Sequence, residues 1–200
     1  MKTNLLIAAL ILVLGLIAAP APSQAQDLNE GPELDETKDY YAVMDTTEGL
    51  IFLEFYPEYA PIHVRNFVNL AEGTKEWLDP TTKEKVSGKK FYDGIKFHRI
   101  IEGFMIQGGD PTGTGSARLG FTIPLEVHPE LNYDKPYLLA MARTNVPDSA
   151  SAQFFITTGE VGPGQRSLNQ KYTPTCLIKN FCSNYNITKK CKDKSMPLIL

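Results

Sequence analysis

The sequence predicts a mainly β domain, a barrel or sandwich of many short strands with one early helix. Three observations carry this. Short β-favouring runs recur between glycine- and proline-rich turns. A single stretch shows helical periodicity. The chain of 200 residues, 42% hydrophobic and 10% aromatic, suits one core of useful size.

Taken in order, residues 26–39 are polar and acidic and contain Gly31 and Pro32, which predicts a flexible leader. Tyr41 to Asp45 and Leu50 to Tyr56 are β-favouring runs joined by Thr46–Gly49, a hairpin pattern. Ala60–Pro61 opens the helix, proline suiting its first turn. Val64, Phe67, Val68 and Ala71 share one face, and Glu72–Gly73 supplies the stop. Trp77 to Lys90 is charged and carries Asp79–Pro80, so it reads as a surface loop. Phe91–Gly94 is a turn into a strand over Ile95–Ile101, followed by a shorter strand at Phe104–Gln107. Gly108 to Gly115 is a glycine-rich loop, and further strands are expected at Leu138–Arg143 and Gln153–Thr157. Along the 95–101 strand, alternation puts Phe97, Arg99 and Ile101 on one face and His98 on the other.

Residues 1–25 have the form of a cleavable export signal. Lys2 precedes an uninterrupted run of aliphatic and small residues from Leu5 to Ala19, proline follows, and Ser23-Gln24-Ala25 fits a cleavage site. The run is short of the ~20 residues needed to span a bilayer. The expectation is an exported chain, periplasmic or secreted, with no stable membrane insertion after cleavage.

The net charge of −3 gives no reason to expect nucleic-acid binding. It hides an asymmetry, since Thr175 to Leu200 carries five lysines against one aspartate. All three cysteines, Cys176, Cys182 and Cys191, lie in the same tail, at spacings that match no common zinc pattern. The chain has no Gly-x-Ser-x-Gly elbow, no His-Glu-x-x-His and no phosphate-loop motif. Gly113-Thr-Gly115 approaches a dinucleotide fingerprint, but Arg118 takes the third glycine's place in a β context. His63, His98 and His128 are scattered. Neither a cofactor nor a metal is expected. From residue type alone, Arg99 among apolar neighbours reads as a surface strand residue covering its stem.

Two blocks change that weighting. Phe97-His-Arg-Ile-Ile-Glu-Gly-Phe-Met-Ile-Gln-Gly-Gly-Asp110 closely resembles the signature segment of the cyclophilin family. The run from Leu139 to Ile156 resembles the family's second signature in its bacterial form. The resemblance covers roughly Tyr41 to Thr173 in the right order, so a cyclophilin-like domain is expected over residues 40–173. It implies a closed eight-stranded antiparallel β-barrel capped by two helices, and isomerisation of Xaa-Pro peptide bonds. It also implies roles: Arg99 as the catalytic arginine, with Gln107 beside it in the catalytic set. Phe104, Met105 and Phe155 would wall the proline pocket, with Leu168 as a further pocket residue. Gln107 and Gln153 would orient Arg99 and hold the substrate backbone, at a rim formed by Ala142 and Arg143. Tyr172 stands where eukaryotic members often carry histidine. Ser167 stands where many carry tryptophan, which implies weak cyclosporin binding at most. The implied partners are proline-containing polypeptides, with a monomer as the default state. A catalytically weak proline-peptide-binding module or chaperone is the alternative.

After Thr173 the resemblance stops. The family continues with Phe-Gly, a hydrophobic strand, and a last helix and strand that close the barrel. Here Pro174 opens a basic, cysteine-containing tail over residues 174–200. The break points first to a frameshift or an altered gene end, with a natural divergent tail or a metal- or partner-binding appendage as the alternatives; loss of the closing strand would leave unpaired edge groups.

Overall fold

The computed structural model describes residues 28–35, 37–159, 168, 172, 174–181 and 197–199. Its elements are β1 (Tyr41–Thr46), β2 (Gly49–Phe55), α1 (Pro61–Glu72), β3 (Trp77–Leu78), β4 (Lys85–Val86), β5 (Ile95–Lys96), β6 (Arg99–Ile101), β7 (Met105–Gly108), β8 (Leu138–Met141), β9 (Phe154–Thr157), β10 (Cys176–Phe181) and β11 (Pro197–Ile199). The protein is thus mainly β with one helix among the described residues. No helix among those residues is long and apolar enough to cross a membrane. The export signal expected over residues 1–25 lies outside the described residues.

Nine strands form one sheet in the order β5-β11-β1-β2-β10-β8-β9-β7-β6, and β3 and β4 pair separately. All pairings are antiparallel. The terminal strands β5 and β6 are separated in sequence only by Phe97 and His98. The single strand expected over Ile95–Ile101 is therefore broken in two. At the break Phe97 turns into the core at 2% exposure while Arg99 stays exposed. The expected alternation fails at that point: Phe97 and Arg99 do not share a face.

The tail corrects a larger expectation. Cys176–Phe181 forms β10 between β2 and β8, pairing Cys176 with Phe55 on one side and with Leu139 on the other. Pro197–Ile199 forms β11 between β1 and β5. The edges of β2 and β8 are therefore occupied rather than open. Strand pairing uses backbone N–H and C=O groups that every residue but proline supplies in full, so the ladder does not depend on a particular side-chain sequence. The ladder is irregular, with a register shift between Ile178 and Asn180.

The main core lies between α1 and the sheet. Phe67, fully buried on α1, stacks on Tyr92 at 4.6 Å and meets Phe55 and Phe154 at 5.2 and 5.5 Å. The helix buries more than the apolar pattern predicts. His63, Asn66 and Asn69 are also buried, while Val68 and Ala71 are only half-buried. Each buried polar side chain has a backbone partner, such as Asn66 Nδ2 donating to Ser151 O at 2.6 Å. Ala60 provides no side-chain cap. Instead the Glu126 carboxylate accepts the Ile62 and His63 amides at 3.0 and 2.8 Å, where the helix dipole favours an anion. Gly73, at φ 78°, ends the helix in a left-handed cap.

Two other expectations are corrected. Trp77–Lys90 is not simply a surface loop. It contains the β3–β4 hairpin, and Trp77 is buried edge-on against Phe91 at 5.0 Å. The leader is not free over residues 28–35. Leu28 is buried, and Asn69 Nδ2 donates to Glu30 O and Pro32 O at 3.0 and 2.9 Å. Its backbone carbonyls accept hydrogen bonds from side chains of α1.

Candidate active site

The site grows from three adjacent strands, β6, β7 and β9. Register sets Arg99 opposite Gln107, and Gln107 opposite Phe155. Directly opposed side chains on one face lie within reach of each other. Arg99 Nη1 donates to Gln107 Oε1 at 3.4 Å, Gln107 Nε2 to Gln153 Oε1 at 2.9 Å, and Gln153 Nε2 to Gly115 O at 3.1 Å. A single polar chain thus runs from the exposed guanidinium to the glycine-rich loop. Gly109 (φ 84°) lets that loop leave β7, since a Cβ there would stand 2.4 Å from Ala152 O.

Asp110 holds the loop itself. Its Oδ1 accepts from the Thr112 amide and hydroxyl at 2.7 Å each, and its Oδ2 from the Ala117 amide at 3.2 Å. Burial by itself would raise this carboxyl, but the hydrogen bonds outweigh it and hold the pKa below the ordinary value. His98 lies under the loop, near Gly115. Burial lowers its pKa, against the opposing pull of Asp110.

Beside Arg99 is a second apolar cluster, separate from the main core. Met105, Tyr133, Leu138, Ala140, Phe155 and Leu168 are buried in it, and Ile101, Phe104, Ala142 and Tyr172 form a half-buried rim. Phe155 meets Tyr172 edge-on at 5.3 Å and stacks over Tyr133 at 6.2 Å. The Arg143 guanidinium lies 4.9 Å from the Tyr172 ring centroid. The Tyr172 amide donates to Leu168 O at 2.9 Å, which holds these two residues together. The Ala142 amide donates to Gln153 O at 2.8 Å and ties the rim to the polar chain.

The structure therefore brings together the candidate residues Arg99, Gln107, Gln153, Phe104, Met105, Phe155, Ala142, Arg143, Leu168 and Tyr172. Ser167 lies outside the described residues. Sequence reasoning missed Tyr133, the fully buried floor of the patch. It is a lone aromatic in a polar stretch, where no periodicity marks it. Next to the patch opens a cleft of ≈ 860 Å³, meeting it at Ala142, lined also by the site residues Gln107, Arg143 and Gln153, and walled beyond by Leu119, Gly120 and Phe121. Among the described residues, no group of three or more His, Cys, Asp or Glu is placed to hold a metal ion. The arrangement offers an exposed cationic donor at the edge of an aromatic-walled patch, suited to a small apolar ring joined to a polar amide.

The family model described as cyclophilin type peptidyl-prolyl cis-trans isomerase/CLD matches residues 41–176. Peptidyl-prolyl cis-trans isomerase B of Streptomyces anulatus is 50% identical over 117 residues, covering 58% of this chain and 66% of that protein. Peptidyl-prolyl cis-trans isomerase A of Mycobacterium tuberculosis is 48% identical over 132 residues, covering 66% of this chain and 69% of that protein. The chain spans about two-thirds of the length of these relatives. A cyclophilin-type isomerase of Cryptosporidium parvum, crystallised in the presence of the dipeptide Ala-Pro, superposes with a TM-score of 0.65 at 25% identity. The match covers 80% of this chain and 98% of that one. Isomerase activity is what the family and its named relatives support. The chain belongs to the cyclophilin-type peptidyl-prolyl cis-trans isomerase family.

Proposed function

We propose that this chain accelerates Xaa-Pro isomerisation in polypeptides that fold after export. The observation that carries the reading is the Arg99–Gln107–Gln153 chain at the rim of the Phe104–Met105–Phe155 patch. Rotation about a peptide bond meets a resonance barrier of ~18–20 kcal/mol. The two Xaa-Pro isomers differ by only ~0.5–1 kcal/mol, so no bond need break and no group need transfer. As the bond twists, the prolyl nitrogen loses conjugation and becomes a better acceptor. Arg99, oriented by Gln107, donates to that nitrogen while the ring sits on the aromatic patch. The donor binds the twisted state more strongly than either planar state, which is what lowers the barrier. An arginine stays charged across physiological pH, so the donor is always present.

Line-shape exchange on a short Xaa-Pro peptide, with Arg99→Ala as control, tests this. Fast exchange abolished by the substitution supports it; equal exchange from both proteins removes it. The long 3.4 Å bond to Gln107 and the exposure of Arg99 favour a second reading, a proline-peptide-binding module with weak turnover. It predicts binding without exchange.

The finer expectations belong to the same proposal. Residues 1–25 direct export to the periplasm or the exterior, the chain acts as a monomer, and Ser167 leaves cyclosporin binding weak at most. If residues 95–101 count as one broken strand, the sheet order reads as an eight-stranded barrel. That strand would be joined to β11 through β5 and to β7 through β6.

A further inference from the structure

We infer that residues 28–33 form a strap that positions the far wall of the cleft beside the active site and so sets affinity for substrate residues flanking proline. The inference rests on the isomerase reading for its substrate and on separate contacts for its mechanism.

The strap is built in at several points. The Asn29 amide donates to Glu76 Oε2 at 3.0 Å, and the Glu76 amide returns a bond to Asn29 O at 2.9 Å. Arg65 donates to Gly31 O at 3.2 Å and pairs with Glu33 at 2.5 Å. From this anchored segment two side chains reach toward the wall. The Leu28 side chain packs on Gly120, where a Cβ would stand 3.3 Å from Leu28 Cδ1 and 2.6 Å from Leu78. Glu30 forms an ion pair with Lys75, whose side chain is fully buried, and Lys75 Nζ stands 4.0 Å from the Phe121 ring centroid. Gly120 and Phe121 both line the cleft.

Leaving a buried ammonium without its carboxylate is strongly destabilising. Glu30 therefore holds Lys75 on Phe121, and Leu28, together with the nearer Leu78, packs against Gly120. None of Leu28, Glu30 or Lys75 lines the cleft or the proline patch. Their effect on substrate passes through Gly120 and Phe121, which makes them positioning residues. The cleft joins the patch at Ala142, beside Gln153, so a peptide longer than Xaa-Pro extends into it while a blocked dipeptide does not.

The test uses the full chain with Glu30→Lys and Leu28→Ala, and Leu28→Met as the conservative control. For an extended proline peptide both variants raise KM about three- to tenfold, the size expected when one cation–π or apolar contact is lost. Their kcat is unchanged, a blocked Ala-Pro dipeptide is turned over as by the parent, and Leu28→Met restores the parent KM. Amide resonances of Gly120 and Phe121 shift in both variants. An equal rise in KM for both peptides, or unmoved Gly120 and Phe121 amides, overturns the strap's role. If the parent turns over neither peptide, the isomerase reading fails, and the amide shifts alone decide whether the strap holds the wall.

Discussion

The molecule has two aromatic clusters that differ in one respect. Around Phe67 the rings of Phe55, Tyr92 and Phe154 are all buried, with edges and faces met on every side. Around Phe155 the floor is buried, but the rim of Ile101, Phe104, Ala142 and Tyr172 is left half-covered. A core satisfies its own apolar surface. The second cluster leaves surface for a ligand to finish, and it sets a cationic donor at its edge. Apolar area that remains half-exposed beside fixed polar groups is the physical mark of a site rather than of a core.

That contrast can be broken most sharply in the first cluster. Phe67→Ala should cost about 3–5 kcal/mol of stability, because a buried ring leaves a cavity its neighbours cannot fill. Urea unfolding reads it, and a loss below about 1 kcal/mol would mean the cluster is not a core. Next comes Arg99→Ala, which should lower turnover about 10²–10³-fold, the range for a lost transition-state donor. Its unfolding midpoint should stay put, since the guanidinium is exposed and its hydrogen bond to Gln107 is long. A large stability change with little kinetic change would exchange the roles of the two regions. Phe104→Ala, on the half-buried rim, should raise KM about tenfold while costing less than about 1.5 kcal/mol in stability.

The smallest effect is a dependence of stability on pH. Burial, partly opposed by Glu126 and by the bond to Pro124, holds the His63 pKa below its ordinary 6.5, and burial does the same to His98. As pH falls below 6.5 the unfolded chain takes up protons before the folded one, so stability declines. The decline ends once the folded imidazoles also protonate. Urea midpoints measured across that window should show a slope that His63→Gln reduces. An unchanged slope would place the titrating group elsewhere.

How legible these regions were from sequence follows from their chemistry. The β1–β2 hairpin and α1 announce themselves by local turn chemistry and periodicity, and their bounds agree closely with the sequence reading. The buried His63, Asn66 and Asn69 do not, because their burial depends on Pro124, Ser151 and Glu30, far along the chain. Trp77 reads as part of a charged loop until Phe91 is found against it. Arg99 reads from residue type as a surface residue. Only the motif resemblance, and then the register of β6 against β7, gives it a partner in Gln107.

By itself the sequence determined the mainly β character, the early helix and the catalytic vocabulary, because strand propensity, capping and motif spacing are local properties of the chain. Tertiary structure alone decided three things. It broke the 95–101 strand so that Phe97 enters the core and Arg99 faces outward. It laid residues 28–33 along α1. And it put Cys176–Phe181 into the ladder between β2 and β8. In each case the partner groups lie far apart in sequence. In the last, the bonds are made by a backbone that carries no trace of side-chain identity.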